Sequence, residues 1–302
     1  MSKNTKVLGA ICVTITSICY GLVPSFSFIS FGLGVATETL LFNKFLYAAI
    51  IMWAFLLLRK IKFKFSRRAA LTMIVTCAGY IGMSTTLYIS FDYISGSLAT
   101  IVSFTFPAMI VAIEMITGRE PVRAARIFAV LLSFGGLCLI VWAPDMEVNI
   151  IGIFFAFLAA VGYVVYLFGL SAESVKKENS FAVAGYVMTS AAAVNFIRCA
   201  ASGKPLFATE PAQFGMMILL SVVCVFLAIL FYAIGVRLIG PGNAALVNTL
   251  EPVLACIFGH FLVGDVLTTV MMIGSALVVA AVLIVNLPER GEKQSESKRP
   301  AD

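Results

Sequence analysis

The sequence predicts an all-α membrane protein, with ten transmembrane helices arranged as two inverted five-helix repeats. Three observations carry this expectation. The first is composition: of 302 residues, 61% are hydrophobic and 12% charged, with a mean hydropathy of +1.03. A soluble domain holds about 45–50% apolar and about 25% charged residues, which excludes a soluble globule. The second is an alternation of charge between successive apolar runs. The third is a stretch that occurs twice, at residues 98–120 and 243–265. Setting Pro107 over Pro252 aligns the two copies without a gap: Ala99 meets Ala244, Val102 meets Val247, and Glu120 meets Asp265 just past the end.

Ten apolar runs have the roughly 20 residues that a helix needs to cross a bilayer. They are 7–29, 36–58, 70–91, 96–117, 122–142, 149–170, 181–200, 212–236, 243–263 and 267–287. The first follows Lys3 and Lys6, as a signal peptide would. It is read as helix one, because no small-residue cleavage site and polar mature domain come after it. Of the 21 basic residues, 18 fall in connections on one side, among them Arg59, Lys60, Arg67, Arg68, Arg119, Lys176 and Lys177. The other side holds Arg198 and Lys204 with Asp92, Asp145, Glu147, Glu210 and Asp265, while Lys44 lies inside a span. The positive-inside rule then puts both termini in the cytoplasm. The basic balance is thus a topology signal, with no nucleic-acid partner implied. The seven cysteines show no CxxC or histidine-linked spacing and read as small apolar fillers, so no disulfide and no metal site is expected.

The duplication reaches beyond the opening pair. Gly9 and Tyr20 match Gly152 and Tyr163, and Tyr88 and Gly96 match Tyr232 and Gly240, at offsets of 143 and 144 residues, against 145 for the proline stretch. The unit is therefore five helices, and an odd number of crossings turns the second copy upside down. Residues 1–146 form the first expected repeat and 147–288 the second, with a polar cytoplasmic tail at 289–302 expected to be disordered.

The runs LYISFDYISGSLATIVSFTFP and FYAIGVRLIGPGNAALVNTLEP, with Glu120 and Asp265 closing the helices that follow, resemble the drug/metabolite transporter superfamily. Its EamA-type branch of ten-helix transporters is the most similar, and the resemblance spans essentially the whole chain. Two departures are Lys44, where many relatives place an arginine, and Pro107, which lacks the preceding acid that Pro252 has in Glu251. The resemblance implies secondary transport of small metabolites, often export of amino acids, and leaves the substrate unnamed.

Ionisable groups inside a membrane are costly and usually functional. Those in the spans are Glu38, Lys44, Glu114, Glu251 and His260. Glu251 either binds a substrate amine or a proton, or accepts hydrogen bonds from backbone that Pro252 loosens, and the sequence leaves both open. Asn248 shares its helix stripe. Lys44 either meets a substrate carboxylate or forms an ion pair, with Glu38 as one candidate. Glu38 and Glu114 lie near helix ends and reach water. His260 is read as a neutral, hydrogen-bonded imidazole, with sensing of an external proton gradient as the alternative. Tyr20, Tyr80, Ser84, Tyr88, Tyr163 and Tyr232 form a set suited to a cavity for a small amphipathic solute, against ordinary helix packing. Pro24, Pro107 and Pro252 are expected bend points.

The expected function is export of amino acids or related amine and carboxylate compounds across the inner membrane by alternating access, with proton coupling through Glu251 as an option. The alternative within the class is import or exchange of phosphorylated or nucleotide-linked solutes, which needs several bases facing the cavity. An intramembrane enzyme is the remote alternative, because no GxSG or GxGD motif is present. No catalytic residue and no cofactor are expected. The expected partners are a small-molecule substrate and the bilayer, with the protein a monomer or homodimer.

Overall fold

Backbone inside hydrocarbon has no water to bond, so a spanning segment must satisfy its N–H and C=O groups internally, as a helix does. The computed structural model describes residues 3–61, 65–118, 124–141, 149–239, 244 and 247–286, and among these the regular structure is helical throughout. Glu120, Asp145, Glu147, Gly240 and the tail at 289–302 lie outside the described residues.

In chain order the helices are α1 Lys3–Gly32, α2 Thr37–Leu58, α3 Arg67–Ser90, α4 Gly96–Ser103, α5 Phe106–Ile116, α6 Ala124–Val141 and α7 Ile150–Ser171. A short α8, Glu173–Lys176, precedes α9, Ser180–Ala201. Helix α10, Pro211–Leu219, continues through a π-helical stretch, Leu220–Leu227, into α11, Ala228–Ile239. Helix α12, Leu250–Phe258, ends in a π-helical turn, Gly259–Val263, and α13 covers Thr269–Asn286. Among the described residues, seven runs are long and apolar enough to cross a membrane, and three apolar helices are shorter: Ile127–Leu139, Leu250–Val263 and Thr269–Ile284.

Local chemistry explains the boundaries. Ser66 and Ser95 accept hydrogen bonds from the backbone N–H of Ala69 and Leu98, and Asn179 from those of Phe181 and Ala182. Each cap satisfies an orphan donor of a first turn. At the other end of α12, Gly264 takes the left-handed φ of 76° that stops the helix.

The two duplicated proline helices break at matching places. The first breaks at Phe104–Thr105 between α4 and α5, and the second at Thr249, ahead of α12. Thr249 aligns with Phe104. The breaks precede the prolines because the pyrrolidine ring donates no hydrogen bond and presses on the carbonyl four residues back, that of Ser103 or Asn248. The expected bends at Pro107 and Pro252 are thus displaced a few residues towards the N-terminus. Helix α1, in contrast, continues unbroken past Pro24.

Packing follows the duplication. Helix α1 packs on α11 and α12, while α7 packs on α3 and on α4 and α5; α2 meets α9, α6 meets α13, and α4 meets α12. Exchanging the halves converts each of these pairs into another of them or into itself. A Cβ on Gly9 would collide with Leu238 and Ile239, and one on Gly152 with Tyr93 and Ile94. Of those partners, Ile94 and Leu238 occupy equivalent positions in the two repeats. Small residues let helix backbones approach closely, the main route to helix association where lipid is as apolar as leucine.

Candidate functional site

A cavity of about 180 Å³ lies at the centre, where α1, α2, α3, α4, α7, α9, α12 and the π-helical stretch converge. Its wall includes Tyr20, Pro24, Lys44, Tyr80, Ser84, Tyr88, Tyr163, Asn248 and Glu251. The structure thus brings together most of the side chains expected to bind solute. Tyr232 is not part of the wall, and Pro107, Pro252 and His260 also lie away from it. Helix α9 adds Ala184, Val187 and Met188, which the sequence did not single out.

At one pole sits Lys44. It is 5% exposed, and its ammonium donates to the Tyr88 hydroxyl at 3.0 Å. The rings of Phe45 and Tyr88 lie 5.0 and 4.7 Å from Nζ, close enough for cation–π attraction. Tyr88, 1% exposed, also shares a 2.8 Å hydrogen bond with Ser27, whose Oγ reaches the Val23 carbonyl. No carboxylate among the described residues is within ion-pair distance of Lys44. The expected pairing with Glu38 therefore does not form. An ammonium has three donors, and among the described residues one of them is met, by the Tyr88 hydroxyl.

At the other pole, Glu251 accepts a hydrogen bond from Asn248 Nδ2 at 3.1 Å, and Asn248 Oδ1 accepts from Ser17 Oγ at 3.2 Å. This chain of polar groups ties α12 to α1. The break at Thr249 makes it possible: Asn248 lies before the break and Glu251 in the first turn of α12. Asn248 and Ser103 both line the cavity and both sit four residues before a proline, so the same device exposes a polar wall position in each half.

Between the poles runs an aromatic wall. Phe106 meets Tyr163 edge-on with centroids 4.4 Å apart, Tyr163 stacks on Tyr166 at 5.8 Å, Tyr166 contacts Tyr80 at 5.1 Å, and Tyr80 meets Phe45 at 5.7 Å. Phe106 and Tyr166 escaped the sequence reading, because Phe106 differs from Glu251, its counterpart in the second copy, and Tyr166 has no aromatic counterpart in the first. Their only signal was aromatic content. Cys224 and Val225 reach the wall from the π-helical stretch, a geometry that often marks functional positions. Among the described residues there is no cluster of three or more potential metal ligands.

His260 is exposed and bonds through Nδ1 to the Asp265 carbonyl oxygen at 3.0 Å. The Asp265 carboxylate accepts from Ser97 Oγ at 2.6 Å and from Ser97 N at 3.3 Å, joining the end of the α12 segment to the start of α4.

Residues 7–142 and 150–287 each match the EamA-like transporter family. The chain belongs to that family. Both halves of the chain carry a family repeat. An uncharacterized transporter of Bacillus subtilis strain 168, YcbK, is 24% identical over 195 residues, 62% of each chain. An uncharacterized transporter of Archaeoglobus fulgidus is 25% identical over 191 residues, covering 62% of this chain and 66% of that one. The match thus spans just under two thirds of these curated relatives. A solved crystal structure superposes with a TM-score of 0.65 at 17% identity, covering 94% of this chain and 97% of that one, and shares the fold.

Proposed function

We propose that this EamA-family protein is a secondary transporter that moves amino acids, or related metabolites carrying both an amine and a carboxylate, out of the cytoplasm. The observation behind this reading is that Lys44 and Glu251 line one aromatic cavity, and neither has an ion-pair partner among the described residues. A buried charge without a counter-ion is expensive, and a zwitterion supplies both counter-ions at once. Its carboxylate meets Lys44, its amine meets Glu251, and its side chain lies against the tyrosines. Phosphorylated or nucleotide-linked solutes fit less well, because Lys44 is the one lysine or arginine in the wall.

Ten crossings with inverted repeats at 1–146 and 147–288 account for the exchangeable packing pairs. Alternating access then opens the cavity to either side in turn as one repeat rocks against the other. Both termini lie in the cytoplasm, the membrane is the inner one, and the unit is a monomer or homodimer. Pro24, Pro107 and Pro252 flank the moving segments, and Glu251 carries either the substrate amine or a proton, which couples export to a proton gradient.

The test uses purified protein in liposomes loaded with labelled amino acids and polyamines, with and without a pH gradient. Saturable amino-acid efflux that the gradient accelerates, and that Glu251→Gln uncouples, supports the proposal. Flux indifferent to both would reduce Glu251 to a structural acceptor. A panel without any flux would overturn the amino-acid assignment.

A further inference from the structure

Away from the transport cavity, α3 and α9 part to leave a lateral crevice of about 530 Å³, lined by Phe65, Met73, Cys77, Ala78, Ile81 and Tyr186 among others. Its back wall belongs to an apolar cluster of Met73, Cys77, Val175, Val183 and Val187. Along α3 the lining runs from Ala70 to Ile81. At 1.5 Å per residue that is roughly 16 Å, about the depth of one leaflet of a hydrocarbon core some 30 Å thick.

The duplication shows why this seam is open. At the offset that relates Tyr88 to Tyr232, Ala78 corresponds to Val222 and Gly82 to Phe226. In the second half Phe226 fills the equivalent seam, packing on Phe55 of α2 with centroids 5.8 Å apart. In the first half a Cβ on Gly82, one turn beyond Ala78 on the same face, would meet nothing within 4 Å. Glycine at 82 therefore leaves open space in one repeat where Phe226 packs in the other.

Charge marks one end. Arg67 and Arg68, both exposed, open α3 directly beside Phe65. Lys176 ends α8 and Lys177 caps it, and this short helix is held against α3 by a 3.0 Å hydrogen bond between Thr72 and Ser174. Among the described residues, the acids of the α8 connection are Glu173, paired with Lys177 at 3.8 Å, and Glu178, and neither Arg67 nor Arg68 is in an ion pair. Both arginines thus keep their charge for an outside partner. An apolar slot one leaflet deep, with cations at its mouth, matches the two ends of an anionic phospholipid.

We infer that the α3–α9 crevice holds an acyl chain of an anionic phospholipid whose phosphate is bound by Arg67 and Arg68. The site is separate from the transport cavity and independent of what that cavity carries.

Trp53 reports on the site, because its ring meets Tyr186 edge-on at 5.2 Å, and Trp142→Phe leaves it the sole tryptophan. This variant is placed in phosphatidylcholine vesicles containing a minor fraction of acyl-brominated phosphatidylglycerol or acyl-brominated phosphatidylcholine, and Trp53 quenching is measured. The expected result is about 25-fold stronger apparent binding of the anionic lipid, reversed by unbrominated phosphatidylglycerol, with each arginine supplying roughly a factor of five. Ala78→Phe, at an exposed position, blocks the slot and abolishes the excess quenching. Arg67→Gln with Arg68→Gln, which leaves the packed residues intact, brings the two lipids to within about twofold. Equal quenching by both headgroups in the starting protein, or an excess that survives either change, would overturn the inference.

Discussion

At the scale of single residues, Lys44 and Tyr88 show how a buried charge becomes useful. The Tyr88 hydroxyl accepts from Lys44 and bonds to Ser27, which fixes the ammonium without neutralising it. Removing that hydroxyl in Tyr88→Phe leaves a buried donor unsatisfied, at a cost of about 1–3 kcal/mol. Calorimetry of the variant should show a lower melting temperature, and transport assays about a tenfold weaker apparent affinity for the carboxylate-bearing substrate. Asp92 offers a separate test, in the turn after α3. Burial and the nearby Glu38 raise its carboxyl above the ordinary value. A raised carboxyl favours the fold below its unfolded value, and that contribution is lost as pH rises through the folded value. Asp92→Asn should therefore leave the protein slightly more stable than the parent at neutral pH and unchanged at low pH, as read from melting temperature against pH. Sequence alone could nominate Lys44 as an intramembrane charge, but not Tyr88 as its partner, since the pair is 44 residues apart and joined only by helix packing. Tyr232 is the converse case. It repeats Tyr88 in sequence, yet it keeps partial exposure and stays out of the wall while Tyr88 is buried. Duplication preserves a position in the repeat without preserving what the cavity asks of it.

At the scale of elements, hydropathy marked the helices because the bilayer imposes both length and polarity. What it could not mark were interruptions. The breaks at Phe104–Thr105 and Thr249 follow from steric pressure on the carbonyl four residues before each proline, so they sit ahead of the residue that causes them. Pro107→Ala and Pro252→Ala restore a backbone donor, and each should hold or raise thermal stability while slowing transport. A variant that melts lower and transports normally would contradict a hinge role. Close approaches are a second property of elements. A larger side chain at Gly9 or Gly152 forces the α1–α11 or α7–α3 seam apart, at about 1–3 kcal/mol as for overpacking in general. Gly9→Val and Gly152→Val should both lower the melting temperature in detergent. Gly82→Val, whose Cβ meets open space, should not.

At the scale of the whole molecule, two hydrogen-bonded junctions tie the α12 segment to the first repeat: Ser17 with Asn248 and Glu251 inside, and Ser97 with Asp265 at the far end. Asp265→Asn weakens the second junction by exchanging a charge-assisted bond for a neutral one, of roughly half the strength. It should shift the balance between states open to opposite sides, read as a change in cysteine accessibility around the cavity on the two faces of sealed vesicles. The central claim is that one cavity presents opposite charges to the two ends of a zwitterion, and it is tested most directly by substrate selectivity. Uptake by counterflow should be measured for an apolar amino acid, for the amine left by removing its carboxylate, and for the acid left by removing its amine. The starting protein should prefer the amino acid. Lys44→Met should lose about ten- to hundredfold on the amino acid and the acid, the worth of a charged hydrogen bond, while sparing the amine. Glu251→Gln should do the reverse. If both variants instead lower transport of all three compounds in proportion, neither charge reads the substrate, and the account of the cavity is wrong.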